Sequence, residues 1–243
     1  MTMRLSILAA ALCCHLICLQ GPAVGQSPGA PKDLQSEADL PSRYPHVVRD
    51  IVAHCKPKAG FWVDLGAGRG QLTVPLVEAT GNPVIMLDPN ESAMAEGLKL
   101  AREKGLENRL FAVVGVAEQM PLPNDSVDLL VSRGSIFFWD DAAKGLAEVY
   151  RVLRPGGKAY IGGGAGSTYP AWAAEKLVQG RTDRLAGDNA ERWKRFVELR
   201  RPEQMRQWAE GARLPNYKVM GKGAISANDP DVGQGVWLLI EKQ

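Results

Sequence analysis

Three glycines, with one acid before them and another after them, are the residues that most clearly imply chemistry. Gly66, Gly68 and Gly70 follow an apolar run, and Asp64 stands two positions before the first of them. Glycines between a strand and a helix allow a tight turn and let a ligand approach the backbone. The following helix would offer its free N–H groups and positive dipole end to that ligand. The pattern predicts a ligand-binding loop, and a tight turn without a ligand is the alternative.

The two acids narrow the kind of ligand. Asp64 can only accept hydrogen bonds, which suits a bound ammonium group. Asp88 closes the next apolar run, about 20 residues beyond the glycines, where a carboxylate can bind both hydroxyls of a ribose. A dinucleotide fingerprint needs G-x-G-x-x-G, but Gln71 occupies the third glycine position, since Gly70 comes one residue early. An acid ahead of the glycines would also repel a pyrophosphate, whereas it would attract an amino-acid group.

Apolar runs alternate with helical patterns from residue 44 onward. The short runs are near-continuous, as parallel strands covered on both faces require, and they lie at residues 61–63, 84–87, 111–114, 129–131 and 159–161. Helical spacing and capping residues predict helices from about Tyr44 to Cys55, from Asn90 to Gly105, and from Asp140 or Asp141 to Pro155-Gly156. The alternation predicts a doubly wound α/β sheet that binds its ligand at the carboxyl ends of the strands.

After the fifth apolar run the pattern changes. A helical stretch from Tyr169 to Arg201 is longer than a simple crossover needs, and a further helix follows at Pro202 to Ala212. Two strands, Tyr217–Met220 and Val236–Ile240, would pair antiparallel at one edge of the sheet. We therefore predict a Rossmann-like, seven-stranded, mostly parallel sheet with an antiparallel C-terminal edge strand and a helical lid insertion at about residues 165–201.

The first 25 residues match the pattern of a secretory signal peptide. Met1–Arg4 is positively charged, residues 5–19 are mostly apolar, and Ala23-Val24-Gly25 supplies small residues for cleavage after Gly25. The apolar part is shorter than the roughly 20 residues that span a bilayer, so we expect no stable membrane anchor. We predict an exported or periplasmic protein with a flexible leader at 26–42 and one domain at 43–243. A wrongly assigned start codon would instead leave the protein in the cytoplasm.

The composition excludes several functional classes. A formal net charge of +2 does not favour a nucleic-acid partner. No cysteine or histidine follows Cys55, which argues against a zinc finger, a disulfide framework, a metal site and thiol or imidazole catalysis in the rest of the chain. Neither an Asn-Pro-Pro-Tyr nor a Pro-Cys signature of nucleic-acid methylation is present.

Several motifs together resemble the class I S-adenosylmethionine (SAM)-dependent methyltransferases, in their broad small-molecule branch. The resemblance covers about residues 44 to 241. It rests on five segments: Asp64–Gly70, Leu87-Asp88-Pro89, Ala117–Pro123, Ser126–Ser132 and Leu153–Lys158. It implies that SAM is the cofactor and that its methyl group is transferred to a small-molecule acceptor by in-line displacement. The runner-up is a SAM- or nucleoside-binding module without catalysis, and a dinucleotide oxidoreductase comes third.

The resemblance also implies which residues contact the cofactor. The first glycine loop would hold the methionine part, the Asp88 region the ribose and the Ala117 region the adenine. The implied contact residues are Asp64, Gly66, Ala67, Gly68, Gly70, Asp88, Pro89, Ala117, Glu118 and Ser132. Many relatives carry an acid where this chain has Val116, so adenine recognition would depend more on Glu118 and on backbone groups.

Candidate residues for binding or activating the methyl acceptor include one at the end of the fourth strand. Arg133 could bind an anionic acceptor, or it could form an ion pair with Asp140 or Asp141 that fixes its loop. Tyr44 and Tyr169 could cover the cofactor or act as weak bases. Because the predicted core holds no imidazole outside the first helix, we expect a mechanism of positioning and proximity.

Overall fold

The computed structural model describes residues 40–186, 190–223, 231 and 233–243. The predicted signal peptide and all but the end of the predicted leader lie outside these residues. The strands are β1 Trp62–Leu65, β2 Val84–Asp88, β3 Leu110–Val114, β4 Val127–Arg133, β5 Leu153–Gly163, β6 Tyr217–Gly223 and β7 Gly235–Glu241. The helices are α1 Tyr44–Cys55, α2 Thr73–Thr80, α3 Glu91–Glu103, α4 Ala142–Val152, α5 Ala171–Ala186, α6 Ala190–Glu198 and α7 Pro202–Gly211.

All seven strands form one sheet in the order β3-β2-β1-β4-β5-β7-β6. Strands β1 to β5 pair in parallel, while β7 is antiparallel to both of its neighbours, β5 and β6. The predicted Rossmann-like sheet is confirmed, including the antiparallel C-terminal strands. The direction of winding reverses between β1 and β4, so the loop after β1 opens at the point where such sheets bind ligands.

Two apolar cores cover the two faces of the sheet. Trp62 of β1 belongs to the core that α1, α2 and α3 close, whereas its neighbour Val63 belongs to the core that α4 and α7 close. Successive residues of a strand point to opposite faces, so a strand buried on both faces must be apolar at nearly every position. This explains the near-continuous apolar runs of the central strands.

Side-chain caps fix where the helices begin, in two cases as predicted. Asn90 precedes α3 and accepts a hydrogen bond from the Ala93 N–H at 3.0 Å. Asp141 precedes α4 and accepts one from the Lys144 N–H at 2.9 Å, so Asp141 rather than Asp140 is the cap. Each cap satisfies a backbone donor that the first helical turn leaves without a partner. The predicted bounds of α1 are also those observed.

The expectation that all five parallel strands are covered on both faces is wrong for β3. Phe111 and Val114 are 50% and 54% exposed. Among the described residues, β3 lies at the edge of the sheet and pairs only with β2. An apolar run therefore predicted the strand correctly, but it could not reveal that the strand lies at an edge.

The predicted end of α4 at Pro155-Gly156 is also wrong. The helix ends at Val152, and β5 begins at the next residue, Leu153, so that Pro155 and Gly156 lie within the strand. Leu153 pairs with Val127, and the register between β4 and β5 shifts before Leu129 pairs with Lys158. This irregularity accommodates a proline and a glycine, which would interrupt a regular ladder.

Within the predicted insertion after β5, the described residues include two helices, α5 and α6. Helix α7 then packs on the same face as α4, where Met205 and Ala209 are fully buried. Most of the loop predicted between the last two strands lies outside the described residues. Within the part of the chain that is described, no helix has both the length and the apolar character needed to cross a membrane.

Candidate functional site

The loop after β1 has a backbone conformation that favours glycine. Gly66 and Gly68 have φ angles of 71° and 51°, in the left-handed region that other residues rarely adopt. A Cβ on Gly66 would overlap the side chain of Ser135, so the loop after β4 packs directly against this glycine. No atom of the described residues lies within 4 Å of the position that a Cβ on Gly68 would take. The loop is thus closed on one side by protein and open on the other to a ligand.

Asp88, at the end of β2, holds this loop in place. Its Oδ2 accepts a hydrogen bond from the Gly68 N–H at 2.8 Å, and its Oδ1 accepts one from the Asn90 N–H at 2.8 Å. A carboxylate offers about four acceptor positions. Two positions therefore remain after these contacts, which is the number that the two hydroxyls of a ribose require. The arrangement is compatible with the predicted role of Asp88 and adds a structural one.

Asp64, at the end of β1, is a buried acid. Its side chain is 1% exposed, and its Oδ2 accepts a hydrogen bond from the Thr73 hydroxyl at 2.6 Å. Burial raises the pKa of Asp64 to about 7 against the opposing effect of the Thr73 hydrogen bond, and the negative charge of Asp88 raises it further. A nearby cation would reverse this shift, because it would stabilise the ionised carboxylate.

Asp64 and the glycine loop line one cleft, together with residues of α1 and β4. The lining residues are Tyr44, Asp64, Gly66, Ala67, Gly68, Gln71, Leu72 and Arg133. Sequence reasoning identified six of these and missed Gln71 and Leu72. In the sequence, Gln71 served only as evidence against a dinucleotide fingerprint. In the structure its Oε1 accepts a hydrogen bond from the Tyr44 hydroxyl at 2.7 Å. The signal that could have found both was their place at the start of the helix after the loop.

Arg133, the last residue of β4, lies at the side of the cleft next to α1. Its Nε donates to the Gly164 carbonyl at 3.1 Å, and its guanidinium carbon lies 4.9 Å from the centre of the Tyr44 ring. Asp141, one of the acids considered as its ion-pair partner, caps α4. The contacts of Arg133 therefore orient it within the cleft and towards the loop that follows β5.

Tyr169 is the one catalytic candidate that does not line the cleft. Its side chain is 7% exposed, and its hydroxyl donates to the Pro41 carbonyl at 2.9 Å. Its ring makes an edge contact with His46, with ring centres 5.4 Å apart. Through these contacts, Tyr169 holds α1 and the residues before it against the loop after β5.

The predicted adenine and strand-four residues also lie away from the cleft. The Ser132 hydroxyl is buried and hydrogen-bonds to the Ser135 hydroxyl at 2.6 Å, because Ser132 and Arg133 point to opposite faces of β4. Ala117 is 4% exposed, and Glu118 accepts a hydrogen bond from the Asp141 N–H at 3.1 Å. Two further predicted residues sit at the edges of the site: Gly70 is buried under α3, and Pro89 is exposed.

An aromatic cluster connects the exit of β4 to the helical insertion. Phe137 packs against Phe196 of α6 and Trp208 of α7, with ring centres 6.1 and 6.3 Å apart. Phe138 also contacts Phe196 and is 39% exposed. The cluster attaches α6 and α7 beside the β4 exit. Among the described residues, no group of three or more acids, histidines or cysteines lies close enough together to hold a metal ion.

Comparison with known proteins relates this fold to methyltransferases. Residues 63–161 match the protein family described as "Methyltransferase domain". A crystal structure from Methanococcus maripaludis, assigned to the SAM-dependent methyltransferases, superposes with a TM-score of 0.67 and 27% identity, covering 83% of this chain and 85% of that one. Residues 63–161 form a methyltransferase domain, in a fold shared with a SAM-dependent methyltransferase. The cofactor of the family is SAM, and the resemblance inferred from the motifs is confirmed.

Two curated relatives of this chain are methyltransferases named for small molecules. The 2-methyl-6-phytyl-1,4-hydroquinone methyltransferase 1 of Oryza sativa is 38% identical over 158 residues, which is 65% of this chain and 42% of that protein. A ubiquinone/menaquinone biosynthesis C-methyltransferase from Marinomonas is 31% identical over 116 residues, 46% of each chain. The chain therefore spans less than half the length of these relatives.

A solved geranyl diphosphate methyltransferase in complex with SAM superposes with a TM-score of 0.53 at 18% identity. It covers 81% of this methyltransferase and 84% of its own chain. At this level of identity the likeness concerns the fold.

The raised pKa of Asp64 generates a prediction. In the ligand-free protein, the Asp64 carboxyl should titrate near pH 7 in carbon-13 NMR, about three units above an ordinary aspartate. Thr73→Val should move the midpoint upward, because it removes a hydrogen bond to the ionised form. Thr73→Ser, which keeps a hydroxyl, should leave the midpoint near the wild-type value. A wild-type midpoint near pH 4 would show that Asp64 is hydrated rather than buried.

Proposed function

We propose that this protein transfers a methyl group from SAM to a small-molecule acceptor by in-line displacement. The observation that carries the proposal is the cleft at the reversal point of the sheet, which Asp64 and the glycine loop line while Asp88 accepts a hydrogen bond from that loop. An acid that suits an ammonium and an acid that suits a ribose flank an open glycine loop. That combination fits an amino-acid nucleoside better than it fits a dinucleotide.

The residues of the cleft divide the work of holding the cofactor. In this proposal Asp88 accepts from the ribose hydroxyls with its two remaining acceptor positions, and Asp64 accepts from the ammonium. Gly66, Ala67, Gly68 and Gly70 shape the loop that admits the ligand, and the segment that includes Pro89, Ala117 and Glu118 borders the adenine. Bound SAM supplies an electrophilic methyl group on a positively charged sulfur, which is a good leaving group.

In this proposal the protein promotes the reaction mainly by positioning the acceptor against the methyl group. His46 and His54 contact Thr168 and Tyr160 rather than the cleft. Burial raises the pKa of the Cys55 thiol to about 12, so it is inert at neutral pH. Tyr44 and Arg133 are the polar side chains placed to contact an acceptor. Alignment of acceptor and methyl group can supply several orders of magnitude in rate without a strong base.

The class of acceptor follows from the relatives and from the β4 exit. One matched enzyme is named for a hydroquinone and another for ubiquinone and menaquinone biosynthesis. The aromatic cluster around Phe137 and Phe138 borders the same end of the sheet. We therefore place hydroquinones first in an acceptor panel. Residues 43–243 form the catalytic domain in this proposal, with residues 165–201 as the lid over the acceptor.

Calorimetry with two ligands tests the proposed function. S-adenosylhomocysteine, the product of methyl transfer, should bind residues 26–243 with a Kd in the micromolar range or below, while NAD should give no measurable heat. Preferential binding of NAD would replace the proposal with a dinucleotide enzyme. If S-adenosylhomocysteine binds but no methyl transfer to any acceptor of a broad panel is detected by mass spectrometry, the chain is a binding module without catalysis.

Asp88 offers a test of the cofactor site by mutation. Asp88→Ala should weaken binding of S-adenosylhomocysteine by an order of magnitude or more, because it removes two charge-assisted hydrogen bonds to the ribose. Asp88→Asn should have an intermediate effect, since one amide oxygen remains to accept. Glu107→Ala removes a charge from an exposed surface position and should leave the affinity unchanged. Equal affinity of wild type and Asp88→Ala, with matching thermal melts, would exclude Asp88 from the site.

The N-terminal sequence supports a separate proposal. We propose that residues 1–25 are an export signal, cleaved after Gly25, so that the mature protein begins at Gln26. Mass spectrometry of the protein purified from its native cells should find Gln26 at the N-terminus and the protein outside the cytoplasm. Cytoplasmic protein that keeps Met1, or that starts at an internal position, would contradict an exported location.

A further inference from the structure

The chain between β3 and β4 packs against α4 rather than forming a helix of its own. Residues 115–126, all of them described, contain no helix, and we call them the β3–β4 segment. The segment begins beside Asp88, because the Gly115 N–H donates to the Asp88 carbonyl at 3.3 Å. Its backbone groups have no helical ladder to pair with, so neighbouring elements must supply many of their partners.

The start of α4 contacts the start of this segment. The Asp141 N–H, at the helix N-cap, donates to the Glu118 carboxylate at 3.1 Å. A Cβ on Gly145 would overlap the Trp139 ring and lie 3.3 Å from the Ala117 Cβ, so both side chains lie directly on the helix. Ala117 and Glu118 are the residues proposed to border the adenine. Their position therefore depends on α4.

Arg151, near the end of α4, holds the rest of the segment. Its Nε and Nη2 donate to the two carboxylate oxygens of Glu148 at 2.6 and 2.7 Å. Its remaining N–H groups donate to the Met120 and Leu122 carbonyls at 3.1 and 2.9 Å and to the Asn124 side-chain oxygen at 2.7 Å. These contacts match the five N–H groups of a guanidinium. One rigid plane thus fixes three residues of the segment at once.

Glu148 completes this arrangement from the preceding turn of α4. Its Oε2 accepts from the Met120 N–H at 3.0 Å, so the N–H and the carbonyl of Met120 both bind the Glu148–Arg151 pair. The hydrogen bond from Arg151 holds the pKa of Glu148 below its usual range, so the carboxylate is ionised at neutral pH and accepts strongly. Gly145, Glu148 and Arg151 follow one another at intervals of three residues, so one face of α4 makes these contacts.

We propose that Arg151 is a positioning residue for recognition of the adenine base of the cofactor. It acts through the β3–β4 segment and not on the base itself: with Glu148 it fixes the backbone that borders the adenine. This inference rests on the proposed function, because it concerns how the same site selects its cofactor.

Val116 explains why this backbone must be fixed. Its side chain has no polar atom, so it cannot accept a hydrogen bond from the adenine amine as an acid at this position could. Recognition of the base then falls to Glu118 and to backbone groups of the segment. A backbone without regular structure binds a ligand tightly only if most of its conformational freedom is lost before binding. The hydrogen bonds of Arg151 restrict that freedom in the ligand-free protein.

Hydrogen exchange of the ligand-free protein tests whether Arg151 fixes the segment. Arg151→Gln should speed amide exchange across residues 117–124 by about 10-fold or more and leave β1 unchanged, because the segment loses most of its bonds to α4. Arg206→Gln is the matched control, since Arg206 forms an exposed pair of the same spacing with Glu203 on α7. Equal exchange of residues 117–124 in wild type and Arg151→Gln would overturn the proposal.

Two ligands that differ only in the base test the effect on recognition. S-inosylhomocysteine carries a carbonyl oxygen where S-adenosylhomocysteine carries the adenine amine. Wild type should bind S-adenosylhomocysteine about 10-fold or more tightly than S-inosylhomocysteine, because groups fixed for one base are left unpaired by the other. Arg151→Gln should reduce this preference to about three-fold or less, and Arg151→Lys, which keeps the charge but not the planar fork, should retain part of it. Arg206→Gln should keep the wild-type preference.

A double variant keeps the test decisive if Arg151→Gln does not fold. Glu148→Gln/Arg151→Gln removes both charges, so no carboxylate remains half-buried without its partner. It should show the same loss of base preference as Arg151→Gln. Thermal melts of each variant report whether it folds.

The outcomes separate this inference from the proposed function. If wild-type protein does not bind S-adenosylhomocysteine, the proposed function fails and the inference fails with it. If wild type binds both ligands equally, or if Arg151→Gln weakens both by the same factor, Arg151 only supports the fold. The inference is then wrong, while the proposed function stands.

Discussion

The site depends on the two hydrogen bonds that Asp88 accepts from the backbone. One comes from Gly68 in the glycine loop and the other from Asn90 at the start of α3. A single carboxylate thus fixes the loop after β1 and the turn after β2 in one geometry. Hydrogen bonds to an ionised acceptor are stronger than those to a neutral one, so the loop is held before any ligand arrives. A pre-formed loop lowers the conformational entropy lost on binding.

Helix α1 completes the cleft because a second set of contacts ties it to the loop after β5. Asp50 accepts from the Ser167 N–H at 2.7 Å, and the His46 ring hydrogen-bonds to the Thr168 hydroxyl at 2.8 Å. A Cβ on Gly166 would collide with the backbone of α1, so that loop lies directly on the helix. Tyr44, at the first residue of α1, is thereby placed over the cleft. The cleft and the loop after β5 are consequently joined through one helix.

The sequence predicted the sheet and the glycine loop because both depend on local patterns. Buried central strands must be apolar throughout, and the turn between Gly66 and Gly70 needs residues without a Cβ. It did not predict the exposure of Phe111 or the course of β5 through Pro155, since neighbours distant in sequence decide both. The same limit applies to the site. The acids at strand ends were found, whereas the pairing of Gln71 with Tyr44 depends on how α1 crosses the loop.

Asp64 shows what this arrangement costs the folded protein. Its pKa is raised in the folded state, so its favourable contribution to folding is present below about pH 4 and is lost as the pH rises towards 7. A core residue chosen for stability alone would be apolar, as its neighbours Val63 and Leu65 are. A buried acid that opposes folding at neutral pH, beside an open glycine loop, is the kind of local exception that marks a functional site. The charge that destabilises the empty domain is the charge that a cationic ligand would neutralise, so binding and stability are coupled through this one residue.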